Sequence, residues 1–409
     1  MKQAPLPPGY KQTALGPIPE DWEIKNLSSL AEISTGKTPP TSNQNYYGNE
    51  FFFVSPTDLG SQKWVSDTEK KLSLQGFNIS KKFPPNSILF TCIGSTIGKI
   101  GMAYKQLTTN QQINTILPNN SFHSDFLYYF LDLFAYKIKK NASETAVPII
   151  NKTSFGNTLI AIPPTLSEQT AIANALNDAD ALISELETLI AKKRLLKQGT
   201  MQQLLTGKKR LSGFTHHPDG RPKGYKPSPL GPIPEDWNIY KLSELANMKS
   251  GFSITSKNIS ADGKYPCFGG NGLRGYADQF THSGRFALIG RQGALCGNVQ
   301  FVSGDFFASE HAVVVTPKAN TEIKLLYYVL VKMNLNQYSE SSAQPGLSVA
   351  KILDLPLPYP ASLAEQNAIA TTVTDMEVEI IALESKLAKY KQIKQGMMQS
   401  LLTGKVRLL

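Results

Sequence analysis

The sequence predicts an α+β protein built twice. Two similar mixed α/β domains are separated by two long antiparallel helices that form an intramolecular coiled coil, the whole with pseudo-twofold symmetry. Three observations carry this prediction. A long stretch at 166–207 recurs at 363–404. A shorter motif ahead of each half also recurs. The long stretch has the apolar spacing of a coiled-coil seam.

The first copy opens Leu166-Ser-Glu-Gln-Thr-Ala-Ile-Ala and closes Lys197-Gln-Gly-Thr-Met-Gln-Gln-Leu-Leu-Thr-Gly-Lys208. The second opens Leu363-Ala-Glu-Gln-Asn-Ala-Ile-Ala and closes Lys394-Gln-Gly-Met-Met-Gln-Ser-Leu-Leu-Thr-Gly-Lys405. Gln366 follows Gln169, and Gly404 follows Gly207, by the same 197 positions, so neither copy carries a gap. A repeat of this length decides the architecture.

The 409 residues suit two or three domains, and 41% apolar content is ample for folded cores. No run of 18 apolar residues is present, and Met1-Lys-Gln-Ala-Pro-Leu-Pro-Pro lacks the apolar core of a signal peptide, so no membrane association is expected. Cys92, Cys267 and Cys296 are scattered, which fits a reducing cytoplasm and argues against a zinc site. The net charge of +10 favours an anionic partner such as nucleic acid.

In chain order, residues 1–14 are Pro-rich and expected to be extended. The first variable domain is 15–165, opening on Leu15-Gly-Pro-Ile-Pro-Glu-Asp-Trp22. The first spacer helix is 166–206. A basic Gly/Pro linker, 207–229, follows, and its His216-His217 pair reads as solvated. The second variable domain is 230–362, opening on Leu230-Gly-Pro-Ile-Pro-Glu-Asp-Trp237, 215 positions after its counterpart. The second spacer helix is 363–404. Inside the variable domains the offset falls to 199: Gly94 matches Gly293, Asn110 matches Ser309, Pro118 matches Pro317, and Leu127-Tyr-Tyr129 matches Leu326-Tyr-Tyr328. The difference places 16 extra residues in the first half, between about 32 and 88.

Strands are expected at 87–90, 286–289, 113–117 and 312–316, each ended by glycine or proline. Helical spacing covers 122–140 and 322–335. Prolines at 163–164, 358 and 360 precede the long helices, where proline is tolerated. The seam runs Ile172, Leu176, Ala179, Ile183, Leu186, Ile190 in one copy and Ile369, Val373, Met376, Ile380, Leu383, Leu387 in the other. At about 1.5 Å per residue the segment makes a rod near 60 Å. The nearest partner for such a stripe is its own copy, which would put the variable domains at opposite ends. The seam weakens at Lys193, Lys197 and Thr200. Those two lysines, with Gln202 and Gln203, are expected to leave a face open to partner subunits.

Catalytic motifs fail one by one. Gly94-Ser-Thr-Ile-Gly-Lys99 has the wrong glycine spacing for a phosphate loop and is followed by Ile100. No amino-methyltransferase motif or Gly-rich cofactor loop appears. The five histidines show no metal spacing, and no metal site is expected.

The doubled Glu-Gln-x-Ala-Ile-Ala, the doubled Lys-Gln-Gly-x-Met-Gln-x-Leu-Leu-Thr-Gly-Lys and the doubled Gly-Pro-Ile-Pro-Glu-Asp-Trp resemble the specificity (S) subunit of type I restriction–modification enzymes. Gly269-Gly-Asn-Gly-Leu-Arg-Gly-Tyr276 with Ile289-Gly-Arg-Gln-Gly-Ala-Leu-Cys-Gly297 looks like a common subtype of that family's target-recognition domain. The resemblance spans essentially the whole chain. It implies that each variable domain is a target-recognition domain for one half of a split site in double-stranded DNA, and that the helices fix the gap. It implies a subunit with no catalysis and no cofactor of its own. Two modification (methyltransferase) subunits would bring S-adenosylmethionine, and restriction subunits would bring ATP and Mg. The competing reading is a coiled-coil scaffold whose two end domains bind proteins.

Base reading needs forked donors and acceptors backed by phosphate contacts. Arg274 and Arg291 suit guanine. Asn110, Gln111, Asn271 and Gln292 suit adenine, and Glu310 the cytosine amino group. Lys37, Lys99 and Lys249 suit phosphates. Thr38, Ser95, Thr96, Asn298 and Ser309 complete the candidate set as polar residues of the same loops. The paired tyrosines Tyr128-Tyr129 and Tyr327-Tyr328 read as helix core.

Overall fold

The computed structural model describes residues 6–143, 146–293, 295–339 and 346–408. Residues 1–5 of the expected extended segment lie outside these. Four helices organise the fold: α1 (Ser124–Lys139), α2 (Leu166–Leu204), α3 (Ile323–Lys332) and α4 (Leu363–Leu401). The chain divides into two compact units, Met1–Glu187 with Lys386–Leu409, and Thr188–Ser385. Each unit therefore holds one variable domain and a piece of both long helices.

In the first unit, Tyr10–Thr13 pairs with Gly16–Pro19, so part of the N-terminal segment is a hairpin strand. One five-stranded sheet has the order Ile33–Thr35, Ile113–Ile116, Ile88–Thr91, Ile100–Ala103, Trp64–Val65. A second has the order Tyr47–Gly48, Lys70–Leu72, Phe51–Val54, Leu107–Thr109, Lys82–Phe83. All of its strands but Leu107–Thr109 come from the region that carries the extra residues. The core joins Trp22, Phe90, Phe126, Phe130 and Phe155 to Ile172 and Leu176 of α2 and to Met398, Leu401 and Leu402 at the end of α4.

In the second unit, a six-stranded sheet has the order Ala246–Ser250, Ala312–Pro317, His282–Gly290, Val299–Ala308, Tyr265–Gly269, Gly272–Ala277. Its core repeats the first. Trp237, Leu326 and Tyr328 pack with Leu204 and Leu205 at the end of α2 and with Ile369 and Val373 of α4. The expected strands at 87–90, 113–117, 286–289 and 312–316 and both expected short helices are present within a few residues.

Both long helices have 39 residues, about 58 Å of helix each. Each is followed by a glycine in the left-handed region, Gly207 at φ +68° and Gly404 at φ +70°. A Cβ there would also strike a proline ring, Pro234 at 2.5 Å and Pro19 at 2.4 Å. Glycine is thus needed twice over, for the helix stop and for the hairpin that packs on it.

The long helices pack against each other antiparallel. In the first unit Asp180 meets Lys394 at 2.5 Å and Glu187 meets Lys391 at 2.6 Å. In the second, Lys193 meets Glu379 at 2.6 Å and Lys197 meets Glu377 at 2.7 Å. This corrects the expectation that Lys193 and Lys197 leave an open face. The seam does not end at Ile190; ion pairs across the two helices continue it. Gln202 and Gln203 are exposed.

Candidate nucleic-acid interface

In the first unit three loops meet at one edge. Lys37 N donates to Thr109 O (3.0 Å), and Asn110 N donates to Val54 O (3.0 Å). The Thr38 hydroxyl donates to Gln111 Oε1 at 2.5 Å. Asn110 Nδ2 donates to Gln112 Oε1 at 2.9 Å, and Cys92 N donates to Gln112 O at 2.8 Å. A Cβ on Gly94 would lie 3.7 Å from Gln112 Nε2, which sets the 94–98 turn against the same edge. Lys37, Thr38, Asn110 and Gln111 are thus brought together, with Ser95 and Thr96 in the adjoining turn. That turn joins two antiparallel strands, Ile88–Thr91 and Ile100–Ala103, and opens no helix. Lys99 is not part of the cluster. Its stem lies along Gly60, and it lines a cleft with Trp64, Tyr128 and Asp180. Lys99 thus stands apart from the other candidates.

The second unit repeats the edge with different side chains. Phe252 N donates to Ala308 O, as Lys37 N does to Thr109 O, at positions 199 apart on the acceptor side. Arg291 N donates to His311 O (2.9 Å), and Arg291 Nη1 donates to Ser250 Oγ (3.1 Å). The hairpin tip at Gly269–Gly272 packs here too: a Cβ on Gly270 would lie 3.2 Å from Gln292 O. Lys249, Asn271, Arg274, Arg291, Gln292 and Asn298 are exposed around this edge. Glu310 is half-buried, and Oε2 accepts from Ile254 N at 3.3 Å, so part of its acceptor capacity is taken. Ser309 is corrected. Its side chain is fully buried beside Gly269, its hydroxyl has no partner, and it does not reach the surface.

Sequence reasoning missed Gln112 and His311, the equivalent pair that follows Gln111 and Glu310. It also missed how each edge is fixed to the helices. Tyr129 Oη donates to Asp180 Oδ2, and Tyr328 Oη donates to Glu377 Oε2, each at 2.7 Å. Gln169 Oε1 accepts from His123 N, and Gln366 Oε1 accepts from Glu322 N, each at 2.8 Å. Arg407 forks onto Glu168 and Asp21, as Arg210 does onto Glu365 and Asp236. A lysine completes each set: Lys63 over Tyr129 (4.7 Å to the ring) and Lys324 over Phe301 (4.1 Å). The signal for these contacts, the two lysines apart, was present, since their members recur at offsets of 197, 199 and 215.

Burial shapes the charges here. It pushes Asp236 up, but hydrogen bonds from Arg210 and Lys223 outweigh it and hold the carboxyl below its ordinary value. Glu377 behaves alike, with Lys197 and Tyr328 as donors. Burial lowers Lys63 despite Asp125 at 2.9 Å. The Cys92 thiol is pushed up to about 12 by burial, so it is inert. Among the described residues no group of three or more His, Cys, Asp or Glu could hold a metal ion, and no helix is long and apolar enough to cross a membrane.

The profile of the type I restriction modification DNA specificity domain matches residues 19–197 and again 234–395. The chain belongs to the type I restriction–modification specificity subunits. It is 30% identical over 403 residues to the type I restriction enzyme EcoprrI specificity subunit of Escherichia coli, covering 93% of this chain and 94% of that one. Its fold is similar to the crystal structure of the type I restriction–modification S subunit from M. genitalium (TM-score 0.62, 19% identity, 93% and 96% of the two chains). It is also similar to a chain from a structural study of complex assembly and conformational transition of the type I system (TM-score 0.56, 17% identity, 95% and 99%). As a specificity subunit the chain is non-catalytic and carries DNA target recognition for a restriction–modification complex.

Proposed function

We propose that this specificity subunit binds a bipartite site in double-stranded DNA, one half-site to each target-recognition domain (15–165 and 230–362), with the gap set by the paired helices. The observation that carries this is the duplicated edge. Equivalent backbone contacts build it: Lys37 N to Thr109 O and Cys92 N to Gln112 O in one unit, Phe252 N to Ala308 O and Arg291 N to His311 O in the other. The edge carries Lys37, Thr38, Asn110 and Gln111 in the first unit and Arg291 and Gln292, with Arg274 on the adjoining hairpin, in the second. One scaffold with two sets of forked polar groups suits two different short sequences.

The subunit works in the cytoplasm and recruits two modification subunits, which use S-adenosylmethionine to methylate adenine. Through them it recruits restriction subunits that use ATP and Mg. Gln202 and Gln203, beside the exposed Leu195 and Leu196 on α2, are the candidate contacts for the modification subunits. Long-read methylation mapping after co-expression with the cognate modification subunit tests the reading. A split motif is expected; a continuous motif would overturn it.

A further inference from the structure

The two edges are superposable in their hydrogen bonding but opposite in chemistry at two outward positions. Gly36 N and Gly251 N donate to Ile113 O and Ala312 O, which fixes Lys37 and Phe252 as equivalents. In the glycine turns, Lys99 N donates to Thr96 O and Asn298 N to Leu295 O, which fixes Thr96 and Leu295 as equivalents. The first unit thus presents an ammonium and a hydroxyl where the second presents a phenyl ring and an isobutyl group. Phe252 is 60% exposed and Leu295 53%. Leu273, 53% exposed, stands between Asn271 and Arg274 on the neighbouring hairpin.

Large apolar groups exposed on one edge and rimmed by forked hydrogen-bonding residues mark an interaction site, because covering them is favourable. In the major groove one base edge is apolar, the C5 methyl of thymine. We propose that the second recognition domain reads thymine methyl groups through Phe252 and Leu295, and that the first domain, with Lys37 and Thr96 at those positions, does not. This rests on the reading of one half-site per domain.

The test uses the full chain in complex with its modification subunits and duplexes carrying the mapped target. Each thymine is replaced in turn by deoxyuridine, which keeps every hydrogen bond and removes only the methyl. Competition binding at fixed salt is expected to show about a fourfold loss at one or two thymines of the second half-site. No loss is expected in the first. Phe252→Ala or Leu295→Ala is expected to bind the thymine and uracil duplexes equally. The substitution is in the DNA, so the outcome does not depend on any variant folding.

A second half-site without thymine, no effect of uracil there, or equal losses in both half-sites would overturn the proposal. So would a Phe252→Ala complex that binds both duplexes more weakly while still favouring thymine as the parent does, which would make Phe252 a wedge between bases. Absence of any split-site binding would instead sink the half-site reading itself.

Discussion

Arg210 and Arg407 each tie a hairpin carboxylate to a buried glutamate at the start of a long helix. The Arg210 and Glu365 side chains are only 6% and 2% exposed. Arg210→Ala would leave Glu365 buried and unpaired, and a loss of about 3–5 kcal/mol is expected in urea unfolding. Arg210→Lys should recover little of it, because an ammonium cannot fork onto both carboxylates. The same cluster sets a pH dependence. Asp236 has a folded pKa below its unfolded value, so its contribution is present above that unfolded value. The contribution fades as pH falls through the lower folded value. Denaturation midpoints measured from about pH 5 down to pH 2 should therefore drop, and Asp236→Asn should flatten that slope. At the edge itself, a Cβ on Gly251 would lie 2.1 Å from Ala308 O, and one on Gly36 2.4 Å from Asn110 O. Backbone oxygens cannot swing away, so either Gly→Ala change should cost about 1–3 kcal/mol in a thermal melt.

At the scale of elements, the helices are the quantity to vary. Seven residues inserted after Glu187, matched by seven after Ser385, preserve the heptad and add about 10.5 Å. Under the spacer reading the mapped gap should lengthen by about three base pairs at roughly 3.4 Å each, with both half-site sequences unchanged. An insertion in one helix alone should misplace the Lys193–Glu379 and Lys197–Glu377 pairs and destabilise the protein. The helices were legible in the sequence because their repeat is ungapped and their seam is periodic. Lys193 and Lys197 were misread because the heptad rule counts apolar residues, whereas here carboxylates on the antiparallel partner complete the seam. The strand Ile88–Thr91 was legible as a buried apolar run ended by a glycine turn. The second sheet of the first unit was not. Its strands have two to four residues, and such lengths carry no readable period.

At the scale of the molecule, exchange of residues 15–162 for another variable domain should change one half-site in methylation mapping and leave the other. The donor must supply the equivalents of Asp21 and Tyr129, which hold the domain to Arg407 and Asp180. Much of the candidate edge was legible as loops equivalent in the two halves. What escaped was side-chain direction: Ser309 turns inward and Lys99 lies along Gly60, and neither follows from position in a motif. The shared ownership of the long helices also governs how the chain is made. Residues 188–385 can close the second unit as soon as they have left the ribosome. The first unit still lacks Met398, Leu401, Leu402 and Arg407 at that moment. The half translated first is therefore completed last, and its apolar surface waits on the order of 10 to 40 seconds for the end of the chain. Over that interval the face of the first unit that meets Met398, Leu401 and Leu402 stays open.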